Sequence, residues 1–205
     1  MRGDAVEHVG KPRLWINAVH LGDFTAGPVV RLRFGRNVSD NKAVLRGLGD
    51  IGPSVEVGGF ASYDAGPINL RGIVAQDVAG GHKGLVAEFG ASYTRPVFST
   101  KAGPWLLIAG PSLTVVDGQY DRSVFGINPS QSRLSGRPVF RPAGGFERAG
   151  FSGTLVVPIT KKIAVTALAG YNRLLSDAAR SPIVRNGVGS ANQFTGGLFL
   201  TYQIF

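Results

Sequence analysis

The chain has 205 residues, no cysteine, 30 glycines and a formal net charge of +9. That length suits one domain with a sizeable core or one mid-sized barrel. The glycine share, about twice the usual ~7%, argues against helices and for an all-β protein. The missing cysteines exclude disulfide scaffolds, cysteine-rich zinc sites and thiol nucleophiles. The basic balance comes without a Lys/Arg run or an RNA-binding aromatic motif, so no nucleic-acid partner is expected.

In chain order, residues 1–12 read as a polar stub, not a secretory signal. No apolar run reaches the ~18 residues of a membrane helix. From residue 13 onward the pattern has period two. Strands are expected at 13–21, 24–35, 54–63, 68–76, 85–93, 105–115, 144–157, 163–174 and 193–205. In "VVRLRFG", Val30, Leu32 and Phe34 oppose Arg31 and Arg33. Counting back from Tyr63, Tyr93 or Tyr202 in twos meets apolar or small residues; the other parity carries Glu56 and Glu88. Each strand thus has one greasy and one polar face.

The connections alternate between short and long, with the long ones at 36–53, 77–84, 116–143 and 175–192. That alternation predicts an antiparallel transmembrane β-barrel spanning 13–205, with short periplasmic turns and longer external loops. Tyr63, Tyr93 and Tyr202, with Trp105 and the terminal Phe205, then form an aromatic girdle at the periplasmic rim. The turn at 94–104 is expected to be the longest on that side. Nine strands is odd, whereas single-chain bacterial barrels normally have an even number. The intact barrel is therefore expected to have about ten strands or more, with an upward strand preceding the first one seen here.

The C-terminal stretch "YNRLLSDAARSPIVRNGVGSANQFTGGLFLTYQIF" resembles the end of the MipA/OmpV family, the MltA-interacting outer-membrane proteins of Gram-negative bacteria. The shared positions are Arg173, Leu174, Leu175, Asp177, Ala178, Ala179, Ser181, Pro182, Ile183 and Val184, followed by Asn192 and Gln193. "RFGR", "LRGLGDI", "GLVAEFGASY" and "FGINPSQ" match further family segments in order. The chain departs by ending Tyr202-Gln203-Ile204-Phe205, one residue longer than the usual Tyr-Arg-Phe. The resemblance implies an outer-membrane location. It also implies a scaffold joining a lytic transglycosylase to a murein synthase. The alternatives are a narrow channel for small solutes or antibiotics, and an adhesin using the loops at 116–143 and 175–192.

Chemistry is sparse. His8, His20 and His82 are too dispersed for a metal site or a triad, and His82 reads as a solvated loop residue. "AGGHKG" looks faintly like a phosphate cradle but lacks P-loop spacing. No enzyme activity and no cofactor are expected. Inside the barrel, Arg31, Arg33 and Arg71 face Glu56 and Glu88, which predicts an internal salt-bridge network; the alternative is a wide, wet lumen. Tight pairing across the connections at 64–67 and 77–84 places Arg71 opposite Gly90 and diagonal to Glu88. The external loops carry Arg36, Lys42, Arg46, Lys83, Arg122, Arg133, Arg137 and Arg141, for which lipopolysaccharide phosphates are natural counter-ions.

Overall fold

The computed structural model describes residues 13–185 and 189–202. It is one antiparallel sheet. The strands are β1 Arg13–Trp15, β2 Val19–Leu21, β3 Phe24–Arg33, β4 Ser54–Ala65, β5 Ile68–Asp77, β6 Leu85–Thr100, β7 Gly103–Val116, β8 Gly145–Pro158, β9 Ile163–Leu174 and β10 Asn192–Tyr202. Every strand from β3 onward pairs with the next in sequence, and both β1 and β2 pair with β3. Trp15 lies opposite Val29 and Val19 opposite Ala26, so β1 and β2 are one strand position broken by a one-residue bulge. Gly27 is required there, because a side-chain carbon would collide with the Ile16 carbonyl. Nine strand positions result among the described residues, matching the sequence pattern. Among the described residues no ladder joins β1 or β2 to β10. The polar stub at 1–12 and the terminal Phe205 lie outside the described residues.

The period-two pattern decides which face goes where. Phe24, Val30, Leu32, Val57, Tyr63, Leu70, Val74, Phe89, Tyr93, Phe151, Leu198 and Leu200 stand exposed on the outer face. Val29, Arg31, Glu56, Phe60, Ile73 and Thr114, of the opposite parity, are buried on the concave face. A continuous apolar exterior around an interior that buries charged Arg31 and Glu56 departs from the arrangement of a water-soluble domain and is the lipid-facing pattern of a barrel wall. No helix among the described residues is long and apolar enough to cross a membrane.

The two ends differ. At one end the connections are tight. The chain turns at Gly66 and again at Lys101–Ala102, where an extended turn was expected across 94–104. Instead β6 runs on to Thr100 and β7 starts at Gly103. At the other end three long connections fold together. They carry α1 Lys42–Leu45, α2 Gly118–Val124, α3 Pro129–Ser135 and α4 Ser176–Arg180. Each helix is short, but α2 and α3 are firmly started. Asp117 caps α2 by accepting from Tyr120 N–H, and Asn128 with Gln131 forms a reciprocal capping box ahead of α3. Leu45, Leu48, Tyr120, Phe125, Ile127, Ala178, Ile183 and Val184 from these connections pack with Val86, Val116 and Leu174 from the strand ends. The result is a cap with its own hydrophobic core across the barrel mouth.

Candidate functional site

Beneath the cap lies a buried polar cluster. β3 presents Arg31 and Arg33, and β4 presents Glu56 directly opposite Arg31 in the ladder. Arg31 Nη2 lies 2.6 Å from Glu56 Oε2, and its Nη1 lies 2.8 Å from Glu88 Oε2. Arg33 Nε donates to Glu56 Oε1 at 2.7 Å, and its Nη2 stands 3.7 Å from Glu88 Oε1. Two cations and two carboxylates therefore interlock across β3, β4 and β6. Arg31 and Glu56 are almost completely excluded from solvent. Breaking such a pair is costly, because each partner left behind is an uncompensated buried charge.

His82 completes the cluster, contrary to its reading as a solvated loop residue. It is buried, with Nε2 2.9 Å from Glu56 Oε1. Its Nδ1 accepts the Gly84 backbone N–H at 3.1 Å. That bond occupies the Nδ1 lone pair, so Nε2 carries the proton and donates it to Glu56. Tyr120 meets the imidazole edge-on with centroids 4.8 Å apart, and the Arg33 guanidinium stands 5.5 Å from the Tyr120 ring centre. Burial, reinforced by the nearby Glu147 charge, raises the Tyr120 phenol well above its ordinary value, so it stays protonated.

The glycine-rich loop holds an anion, but an internal one. Asp77 Oδ1 accepts from Ala79 and Gly80, and Oδ2 accepts from His82 and Lys83. The backbone nest of "AGGHKG" is filled by the carboxylate that starts the loop.

Arg71 faces Gly90 across the β5–β6 ladder, as pairing continued across the 77–84 connection predicts, and its guanidinium stands 5.2 Å from the Trp15 ring centre. Tyr63, Tyr93 and Tyr202 point outward and are exposed. Tyr93 does not end its strand, since β6 continues seven residues to Thr100. Trp105 lies four positions beyond Ala109, the partner of Tyr93, and pairs with Phe98, so it belongs to an extension past that position.

The segment expected to be an external-loop motif is divided. Arg173 ends on β9, while Asn192 and Gln193 open β10; Arg173 Nη1 and the Tyr171 hydroxyl both donate to Asn192 Oδ1. These residues are therefore part of the wall. Asp177, Ser181 and Pro182 do lie in the connection, and they clamp the cap. Ser181 Oγ donates to Phe125 O at 2.6 Å, Pro182 is buried, and Asp177 Oδ2 accepts from Ala143 N–H. That bond first, and Arg180 after it, hold the Asp177 carboxyl below the usual carboxylate range. Further clamps run from Arg36 Nη1 to Val124 O and from Ser123 Oγ to His82 O.

The cluster offers little that reacts. Ser123 reaches the histidine's backbone, not its ring, and both His82 nitrogens are occupied. Among the described residues no group of three or more His, Asp or Glu is placed to hold a metal ion. The arrangement is a polar lock between wall and cap. Fold and cluster together define a capped, all-β protein of antiparallel strands with an apolar outer face.

The family model for MltA-interacting protein MipA matches residues 7–204, nearly the whole chain. The chain belongs to that family. No curated protein and no solved structure matches the chain.

Proposed function

We propose that this protein is a non-enzymatic barrel of the Gram-negative outer membrane that serves as a docking scaffold for cell-wall enzymes on its periplasmic side. The observation that carries the reading is the β6–β7 ribbon. The β5–β6 ladder stops at Ile68 opposite Tyr93, and Thr94 makes a last bond to Pro67 O. Arg95–Thr100 pair only with β7, so this edge of the ribbon is free for about 20 Å at ~3.3 Å per residue. A kink at Pro96–Phe98 turns its face. Val97 and Phe98 are exposed, and Phe98 meets Trp105 edge-to-face at 5.5 Å. Flanked by Arg95 and Lys101, this is a compact aromatic patch of the kind that anchors protein interfaces, beside a free edge of the kind that accepts an added strand.

The alternation of short turns and long, capped connections supports placing the ribbon end in the periplasm. Tyr63, Tyr93 and Tyr202 then serve as headgroup-level rings above it. The family description names an interaction with MltA, so a murein-cleaving transglycosylase is the first partner to test, with a murein synthase as the second. The capped mouth and the interlocked charges disfavour the alternative of an open channel.

The test places a photo-crosslinking residue at Val97 in cells. Capture of a lytic transglycosylase or murein synthase, lost in a Phe98→Ala/Trp105→Ala variant, supports the scaffold. If no cell-wall enzyme is captured while a control barrel captures its known partner, the reading fails.

A further inference from the structure

In the cap, α1 and the end of α3 flank an open cavity of about 490 Å³. It is lined by Lys42, Ala43, Arg46, Leu134, Arg137 and the Ser135–Gly136 turn. No carboxylate lines it, and none lies within ion-pair distance of its three cations among the described residues. The two walls are held rigidly. A side-chain carbon on Gly47 would sit 2.7 Å from the Leu134 carbonyl carbon, so the two backbones are in direct contact. Gln131 Nε2 donates to Leu48 O, and Leu45 and Leu48 are anchored in the cap core. Half-buried Arg137 reaches across, with Nη2 3.5 Å from Ala43 O.

We propose that this cavity binds a phosphate monoester, with Arg46 and Arg137 gripping its oxygens and Lys42 supplying a third charge. A preorganised guanidinium is the preferred partner of a phosphate, because two parallel N–H groups match its oxygens. The volume lies in the range of small-ligand sites. Leu134, 72% exposed on the cavity wall, gives an apolar contact beside the charges. That combination fits the phosphorylated sugar of an outer-leaflet glycolipid, lipid A. This choice of source rests on the outer-membrane reading above; free phosphate shares the same chemistry.

Native mass spectrometry of the full chain in detergent separates the possibilities, using diphosphoryl lipid A, dephosphorylated lipid A and inorganic phosphate as probes. Diphosphoryl lipid A should bind at least about tenfold more tightly than its dephosphorylated form. Replacing Lys42→Gln, Arg46→Gln and Arg137→Gln together should abolish that preference, whereas Arg133→Gln, elsewhere on α3, should not. Inorganic phosphate binding without lipid A binding, lost in the same triple variant, keeps the phosphate site but removes the glycolipid as its source. Because inorganic phosphate needs no membrane, that arm stands even if the outer-membrane reading falls. Equal binding of the two lipids, or phosphate binding unchanged in the triple variant, overturns the site. Retained strand circular dichroism excludes misfolding as the cause of any loss.

Discussion

The two ends of this barrel solve opposite problems with the same strands. At the capped end Arg31, Glu56, His82 and Tyr120 are buried, and Glu56 pairs with Arg31 and His82 from distant parts of the chain. At the ribbon end Arg95 through Thr100 are all exposed and bonded on one side only. Polar groups buried in pairs make a structure that breaks when one partner is removed. Exposed aromatic groups on a two-stranded ribbon contribute little to the fold and are free to serve another molecule. Substitutions at the capped end should therefore register in stability, and those at the ribbon in binding.

The largest effect should come from removing the cap's central connection. Replacing 118–143 with a short Gly-Ser linker strips α2 and α3 from the mouth, and single-channel conductance in planar bilayers should rise well above that of the intact protein. An unchanged conductance would mean that the lumen is blocked below the cap. Next in size is Glu56→Gln, which leaves Arg31 and Arg33 short of a carboxylate. Denaturant unfolding in detergent should show a loss of about 3–5 kcal/mol. His82→Ala leaves the Gly84 N–H without its acceptor and takes one donor from Glu56. The same measurement should show about 1–3 kcal/mol. By contrast, Phe98→Ala should cost no more than about 1.5 kcal/mol, the scale of an edge-to-face aromatic pair. A loss as large as that of Glu56→Gln would erase the contrast between the ends.

The smallest effect is a pH slope. Burial first, then the Glu147, Asp177 and Asp117 charges, push the Asp121 carboxyl up to about 6. A folded value above the unfolded one means that the fold favours the protonated form. Asp121 therefore opposes folding least below about pH 4, and stability should decline as pH rises toward 6 and above. Asp121→Asn should flatten that slope and stabilise the protein at pH 7, seen as a higher unfolding midpoint.

The wall was legible in the sequence because lipid and lumen impose opposite chemistry on alternate residues, so Val30 and Arg31 announce their faces. Ladder neighbours follow from pairing that continues across each hairpin connection, which sets Arg71 against Gly90. The ribbon was missed because Pro96 and Pro104 resemble turn residues and the kink at Pro96–Phe98 breaks the alternation. His82 was missed for a different reason. Its partners Glu56 and Tyr120 lie in other segments, and a histidine among glycines carries no local mark of burial. The cap left one readable sign, Asn128-Pro129-Ser130-Gln131, a helix start with its capping pair in sequence. Nothing local announces that the helix lands on Leu48.

The carboxylate of Asp77 has a consequence for the order of assembly. Its four bonds reach only two to six residues along the chain, so the β5–β6 hairpin carries its own closure. The bond from Arg36 to Val124 spans 88 residues, and that from Gln131 to Leu48 spans 83. Short-range contacts form early because little chain entropy is lost in closing them. The hairpins should zip first and the cap should latch last, leaving a late, open-mouthed intermediate whose lifetime is set by how quickly the long connections find each other.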